Sequence, residues 1–245
     1  GQNFSKPFEV KFADKDNVEH FAWQTSWGVS WRLIGAMIMA HGDDKGLVLP
    51  PKVAPMQIVI VPIYRNEEGK NIVLPKVEEI QKKLELNDIR IHVDDREGLS
   101  PGYKFNDWEL KGVPLRIEIG PKDIENQKIV VAKRYNLEKI DLSFEEIEKI
   151  PLILDEIQVE MLKKAKEQAQ NNTLEITDYL EFKSKIEKGG FFTSPWCGKL
   201  ECEDKIKEET GAEIRVIPFN SEDNTKECIY CKEPSTSIPI FARGY

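Results

Sequence analysis

The chain has 245 residues, of which 40% are hydrophobic and 32% charged, and its formal net charge is −8. These values support a real hydrophobic core in one large or two small domains with an appendage, and the acidic charge argues against nonspecific coating of nucleic acid. No apolar run reaches membrane-spanning length and the first residues lack a secretory signal, so we expect a cytoplasmic protein without a membrane segment.

The first elements are a predicted β-hairpin and an apolar helix. Residues 8–13 alternate apolar and polar side chains, and residues 18–25 are predicted to form the returning strand. Residues 26–40 carry apolar side chains almost all round a helix, a pattern typical of a helix buried in a larger protein, and Gly42 is expected to end it. Because the chain opens on Gly1 and enters a strand at once, we expect a piece of a longer protein.

A small α/β domain is predicted next. Residues 57–63 form a continuous apolar run, which is typical of a parallel strand buried on both faces. Strand, helix and strand follow one another with short loops, which indicates a mixed sheet. The other predicted elements of this domain are an amphipathic helix at 73–86, a loop at 98–102, and strands at 89–93, 113–119 and 128–133.

The last hundred or so residues are predicted to be more helical at first. A highly charged helix is predicted at 143–170, with a kink at Pro151 and a break at Asn171 and Asn172. A shorter helix is predicted at 177–188, followed by short strands and turns.

All four cysteines lie in this last part of the chain. Two pairs of thiolates can close a tetrahedral zinc site, and a metal would help to fold a segment with few apolar residues. Reduced free thiols and, less readily, disulfides are the alternatives, because the 25 residues between the pairs make the spacing loose. The predicted structural zinc ligands are Cys197, Cys202, Cys228 and Cys231.

Residues 25–35 read Thr-Ser-Trp-Gly-Val-Ser-Trp-Arg-Leu-Ile-Gly, and they place one arginine at the start of the apolar helix. A cation there needs an anionic or aromatic partner, which is either a carboxylate of the protein or a nucleotide. Residues 46–51 then read Gly-Leu-Val-Leu-Pro-Pro. The two strings resemble the third class-defining motif of class II aminoacyl-tRNA synthetases, in the form used by the prolyl-tRNA synthetase family.

This resemblance implies ATP-dependent activation of proline to prolyl-adenylate and its transfer to tRNA(Pro), with Mg²⁺, by a homodimer. Trp31 departs from the family pattern, in which a small hydroxylated residue precedes the arginine. Motifs 1 and 2 of the class would precede Gly1, so we expect this chain alone to be inactive. The residues implied are Ser30 and Arg32 for ATP, and Ser26, Trp27 and Gly28 for the floor of the proline pocket.

Residues 101–123 alternate aromatic, basic and acidic side chains on a predicted loop and on the predicted exposed face of a strand. This mixture suits unstacked RNA bases, although an ordinary amphipathic strand with solvated charges has the same pattern. The string also resembles the anticodon-binding domain of the same family. The resemblance implies that Glu109, Arg116 and Lys122 contact anticodon guanines.

The predicted fold class is therefore α/β and α+β in several domains. The predicted domains are the end of an antiparallel-sheet class II catalytic domain at 1–54, an α/β anticodon-binding domain with a mixed sheet at 55–140, and a helical segment with a small α+β zinc-binding domain at 141–245. The resemblance is to the branch of the family found in archaea and eukaryotes, in which the chain ends in a tyrosine, here Tyr245. A noncatalytic tRNA-binding or anticodon-binding module is the alternative, and it would apply if the gene began near Gly1.

Overall fold

A computed structural model describes residues 1–223 and 225–244, so the predicted C-terminal tyrosine, Tyr245, lies outside the described residues. The strands are β1 (Lys11–Ala13), β2 (Glu19–Phe21), β3 (Ile58–Pro62), β4 (Ile91–Val93), β5 (Leu115–Ile119), β6 (Lys128–Lys133), β7 (Lys139–Ser143), β8 (Thr173–Glu175), β9 (Phe191–Thr193), β10 (Ala212–Val216) and β11 (Ile240–Arg243). The helices are α1 (Arg32–His41), α2 (Glu67–Glu85), α3 (Pro101–Leu110), α4 (Pro121–Glu125), α5 (Ile150–Asn171), α6 (Tyr179–Ile186) and α7 (Leu200–Thr210), with a 3₁₀ segment at Phe144–Lys149.

The N-terminal part contains the predicted hairpin and helix, both shorter than expected. β1 pairs antiparallel with β2, which confirms the hairpin. α1 begins at Arg32 rather than near residue 26, and it ends where the N–H of Gly42 bonds to the carbonyl of Ile38. Within this chain none of the residues of α1 is buried, and Leu33 and Met39 are 59% and 61% exposed, so the predicted burial of this helix in a larger protein stays a prediction.

The predicted mixed sheet is confirmed and has five strands in the order β4-β3-β5-β6-β7. β3 runs parallel to both β4 and β5, whereas β5, β6 and β7 pair antiparallel. All five residues of β3 are buried, as its continuous apolar run predicted. β7 is an additional strand that the sequence did not reveal, because its five residues contain only two apolar side chains, Ile140 and Leu142.

Helices cover this sheet on both faces. α2 places its predicted apolar residues, Val73, Val77, Ile80 and Leu84, against one face, and it begins at Glu67 because the Asn66 side chain caps Gly69 N at 2.9 Å. The first half of α5 packs against the same core. The opposite face packs Val59 and Val61 against α3 through Trp108.

Residues 101–110 form a helix, so the predicted loop in this segment is wrong beyond its first residues. The Ser100 side chain caps α3 by accepting a hydrogen bond from Tyr103 N at 3.2 Å. Pro101 lies in the first turn of the helix, where a backbone N–H has no partner within the helix, so its missing N–H costs no hydrogen bond. The prediction of an exposed strand face is also wrong, because all five residues of β5 are buried.

The C-terminal part is a second α+β unit. Its four-stranded sheet has the order β10-β11-β9-β8, and Phe182, Phe192 and Phe241 form the aromatic centre of its core. The predicted helix break near Asn172 is confirmed, whereas the predicted kink at Pro151 is not present, because α5 begins at Ile150 and the proline lies in its first turn. α7 was not predicted as a helix.

The domain boundaries stay a prediction. The boundary at 54/55 falls in the turn before β3, whereas the boundary at 140/141 falls inside β7. No helix in the described part of the chain combines the length and the apolar character that crossing a bilayer requires.

Candidate nucleic-acid interface and metal centre

A row of side chains that includes three charged residues crosses the sheet on the face that α3 partly covers. Arg116, Ala132 and Lys139 are direct neighbours across β5, β6 and β7, and Glu118 lies two residues further along β5 on the same face. α3 reaches β3 and β5 but leaves β7 accessible, so Lys139 remains half exposed. This face therefore offers charged groups to a ligand at the edge of a helix.

Arg116 is the fixed centre of this row. Its side chain is 8% exposed, and its Nη1 lies 3.0 Å from Glu109 Oε1. On the other side, its Nε and Nη2 lie 3.1 and 2.9 Å from Glu118 Oε1. The guanidinium also lies 4.2 Å from the ring centre of Phe105, a cation–π distance. The guanidinium is thus held in one orientation between two carboxylates.

The structure brings together Glu109 and Arg116, two of the three residues for which the resemblance implied guanine contacts, whereas Lys122 lies elsewhere. Lys122 is exposed on α4, and no ion pair joins it to the Arg116 cluster among the described residues. Glu118 and Lys139, whose Nζ lies 2.9 Å from Glu118 Oε1, were missed. The alternation of Arg116 and Glu118 along one strand could have revealed Glu118, whereas Lys139 depends on the unpredicted strand β7.

A cavity of about 200 Å³ adjoins the Arg116 cluster. Its walls include Glu109 and Arg116 from the cluster, Lys139 from β7, and Lys45 from the segment that follows α1. The Oε2 atom of Glu109 forms no hydrogen bond among the described residues, so one acceptor remains available beside the cavity.

The motif residues near α1 do not form a closed site within this chain. Ser26, Trp27, Gly28 and Ser30 are exposed in the stretch before the helix, with Trp27 at 96% exposure. Arg32 is exposed in the first turn of α1 and forms no ion pair with a carboxylate of the described residues. The nucleotide and proline sites therefore stay predictions.

The four cysteines converge, and all their Sγ atoms lie within 4.8 Å of one another. The Sγ atom of Cys197 is 3.6 Å from that of Cys202 and 3.7 Å from that of Cys231. A tetrahedral zinc site with Zn–S bonds of about 2.3 Å has sulfur-to-sulfur edges of about 3.8 Å. The cluster therefore fits zinc, and all four cysteines are free thiols rather than disulfides.

Separate elements position the four thiols. Cys197 follows β9, Cys202 lies in the first turns of α7, and Cys228 and Cys231 share a turn closed by a hydrogen bond from Lys232 N to Cys228 O. Burial raises the pKa of Cys197 and of Cys202. Burial also acts to raise the pKa of Cys228, but backbone N–H groups, foremost those of Cys231 and Tyr230, lower it overall. A cation would favour ionisation of the buried thiols.

Known proteins match the whole chain. The family described as "Anticodon binding domain" matches residues 57–152, and the family described as "Prolyl-tRNA synthetase, C-terminal" matches residues 179–245. The Proline--tRNA ligase of Cenarchaeum symbiosum (strain A) is 54% identical over 247 residues, which cover 100% of this chain and 51% of that protein. The Proline--tRNA ligase of Porphyromonas gingivalis (strain W83) is 46% identical over 246 residues, covering 100% of this chain and 50% of that protein.

A third relative, the Proline--tRNA ligase of Roseiflexus castenholzii (strain DSM 13941 / HLO8), is 44% identical over 249 residues, which cover 100% of this chain and 52% of that protein. The chain spans about half the length of the curated relatives it matches. The Arg116 cluster lies within the range matched by the anticodon-binding family, and the four cysteines lie within the range matched by the C-terminal family.

Proposed function

Because this chain belongs to the prolyl-tRNA synthetase family, whose C-terminal portion it matches, we propose that it is the tRNA-reading and zinc-binding part of a proline–tRNA ligase. The intact enzyme would convert proline and ATP to prolyl-adenylate and pyrophosphate and would then transfer proline to tRNA(Pro). It would act in the cytoplasm as a homodimer. A reducing compartment suits four free thiols gathered at one site.

The observation that carries the proposal is the buried cluster of Arg116, Glu109 and Glu118 inside the anticodon-binding range. A guanine base offers acceptors at O6 and N7 and donors at N1 and N2. A fixed guanidinium matches the acceptors, and the unbonded Glu109 Oε2 accepts from the donors. Phe105 beside the guanidinium adds an aromatic surface against which an unstacked base can pack. Lys122, which lies on α4 outside the cluster, is proposed as a further contact to an anticodon guanine.

At the other end of the chain, Arg32 and Ser30 would bind ATP, with Mg²⁺ balancing the phosphate charge, and Ser26, Trp27 and Gly28 would line the proline pocket. Arg32 supports this assignment because it has no internal carboxylate partner among the described residues, so its planar set of donors remains available. Zinc at the four cysteines would have a structural role, since no motif residue of the ATP site lies among the ligands.

The proposal is tested with two preparations. The intact protein should catalyse proline-dependent exchange of pyrophosphate into ATP, and the 245-residue chain alone should not. The chain alone should bind an anticodon stem-loop RNA whose loop reads UGG more tightly than the same hairpin with both guanines replaced by uracil. RNA binding by an intact protein that never supports proline-dependent exchange would refute the ligase and favour a noncatalytic tRNA-binding module.

A further inference from the structure

An ion pair joins the segment that follows α1 to the end of α3. Arg134, whose side chain is 2% exposed, donates from Nη1 and Nη2 to the two carboxylate oxygens of Asp43 at 2.8 and 2.6 Å. Its Nε donates to the backbone carbonyl of Glu109 at 2.9 Å. The same guanidinium therefore holds Asp43 and the backbone of the residue whose carboxylate contacts Arg116.

Asp43 is held in place by its own turn. Its Oδ1 accepts a hydrogen bond from Lys45 N at 2.9 Å, and its backbone exchanges two hydrogen bonds with Gly46. The guanidinium of Arg134 lowers the pKa of Asp43 to about 2, so the carboxylate is charged at neutral pH. The ion pair is thus a bidentate contact between two groups of fixed orientation.

The two backbones beside this ion pair approach each other too closely for side chains. Leu47 N bonds to Leu110 O at 3.0 Å, and Leu49 N bonds to Gly112 O at 3.2 Å. A Cβ atom on Gly46 would lie 2.6 Å from the backbone oxygen of Leu110, and one on Gly112 would lie 2.6 Å from Leu47. Both glycines have positive φ, at 127° and 72°. The turn and the end of α3 are therefore locked together.

We propose that Asp43 and Arg134 are positioning residues of the RNA-binding surface, because they hold the end of α3 so that Glu109 stays against Arg116. The inference rests on the proposed function of the Arg116 cluster. It assigns residues 43–49, which the sequence placed at the end of the catalytic region, to the wall of the anticodon surface. Lys45 and Arg134 accordingly line the same cavity as Glu109 and Arg116.

A purely electrostatic role and a positioning role of Asp43 predict opposite changes in RNA affinity for the same substitution, so the measurement distinguishes them. Asp43→Asn removes a negative charge near a polyanion, and charge alone predicts tighter RNA binding. Positioning predicts weaker binding, because Asn offers one acceptor to a guanidinium that needs two. Asp44→Asn is the matched control: it removes the same charge one residue away, and the exposed Asp44 side chain forms no hydrogen bond or ion pair among the described residues.

The probe is the UGG anticodon stem-loop, with the guanine-free hairpin as its competitor, titrated into the 245-residue chain. We expect Asp43→Asn to weaken binding of the UGG hairpin about tenfold, as for a lost charge-assisted hydrogen bond, and to reduce its preference over the guanine-free hairpin. Asp44→Asn should stay within about twofold of the unsubstituted chain or bind slightly tighter. Arg134→Lys keeps the charge but loses the bidentate contact, so it should behave like Asp43→Asn.

The preference for guanine separates positioning from a general loss of folded protein, which would weaken both hairpins equally. If Asp43→Asn does not fold, Arg134→Lys carries the test with the same expected result. Equal guanine preference in Asp43→Asn, Arg134→Lys and Asp44→Asn would overturn the inference and leave RNA binding intact. If the unsubstituted chain does not prefer the UGG hairpin, the proposed function fails and this inference fails with it.

Discussion

Asp94 is the fully buried carboxylate at the end of β4, and replacing it with Asn should destabilise the α/β domain by about 3 kcal/mol. The carboxylate accepts hydrogen bonds from Trp108 Nε1 at 2.7 Å and from Arg96 Nε and Nη2 at 2.9 and 2.7 Å. Lys104 Nζ lies 3.6 Å away, and its side chain is 7% exposed. Asp94 therefore balances one buried cation and one buried indole N–H.

The size of this loss in stability depends on which partners of Asp94 lose their interactions in the variant. Removing one member of a buried ion pair costs about 3–5 kcal/mol, because the other charge stays buried without compensation. Arg96 loses less, since it is 39% exposed and keeps Asp107 at 2.8 Å. Lys104 loses its carboxylate but keeps its hydrogen bond to the backbone oxygen of Asp94 at 2.9 Å. Asn also retains one acceptor for Trp108, so the lower end of the range applies.

The pH dependence of stability should report on the same interactions of the Asp94 carboxylate. Burial acts to raise the pKa of Asp94, but hydrogen bonds from Arg96 and Trp108 and the charge of Lys104 lower the pKa overall. A carboxylate with a depressed folded pKa contributes stability above its unfolded pKa of about 3.9 and loses it as the pH falls towards the folded value. The stability of the unsubstituted chain should therefore fall more steeply below about pH 4 than that of Asp94→Asn.

The assay is urea unfolding followed through the indole N–H resonance of Trp108, which reports on this domain alone. Asp95→Asn is the control, because Asp95 is exposed and carries the same charge one residue away. A loss of less than about 1 kcal/mol in Asp94→Asn, or an equal loss in both variants, would refute the role given to the buried carboxylate.

Three further results are expected. The chain should bind about one zinc ion, and Cys228→Ser should bind less; a folded, metal-free chain would refute the site. Gly112→Ala should lower the melting temperature, with a loss of at least about 1 kcal/mol, because its Cβ would contact Leu47 at 2.6 Å and its φ is 72°. Phe182→Ala in the C-terminal core should lose about 3–5 kcal/mol in urea unfolding. The fully exposed Phe219, changed to Ala, should lose less than about 0.5 kcal/mol, and equal losses would contradict the core assignment.

Local patterns predicted the elements whose apolar residues are either continuous or regularly spaced. The apolar run of β3 and the spaced apolar residues of α2 each determine their own structure, and both were found. α3 was missed because Pro101 and Gly102 suggested a loop, and because its buried face carries Lys104 beside Trp108. A buried lysine breaks the apolar pattern, and its only ion-pair partner among the described residues is Asp94, which follows β4.

In the candidate sites, too, local patterns do not report contacts between residues that are distant in sequence. The four cysteines were predicted as zinc ligands from their residue type and paired spacing together with the family resemblance, whereas Glu109 and Arg116 were predicted from the family resemblance alone. Their burial was not foreseen, because it depends on α3 lying across the sheet. The contact of Arg134 with Asp43 joins residues 91 positions apart, and no local pattern reports such a pair.

The balance of charge in the Arg116 cluster determines what it can select. A phosphate group approaching Arg116 would also meet the carboxylates of Glu109 and Glu118, so the cluster has little attraction for an RNA backbone. A guanine edge carries donors as well as acceptors, so it can accept from Arg116 and donate to Glu109 while the two side chains stay together. The cluster should therefore discriminate between bases, while phosphate binding falls to exposed lysines such as Lys45, which forms no ion pair among the described residues. It follows that Lys45→Ala should reduce the salt dependence of RNA binding and leave the preference for guanine unchanged, whereas Arg116→Lys should reduce that preference.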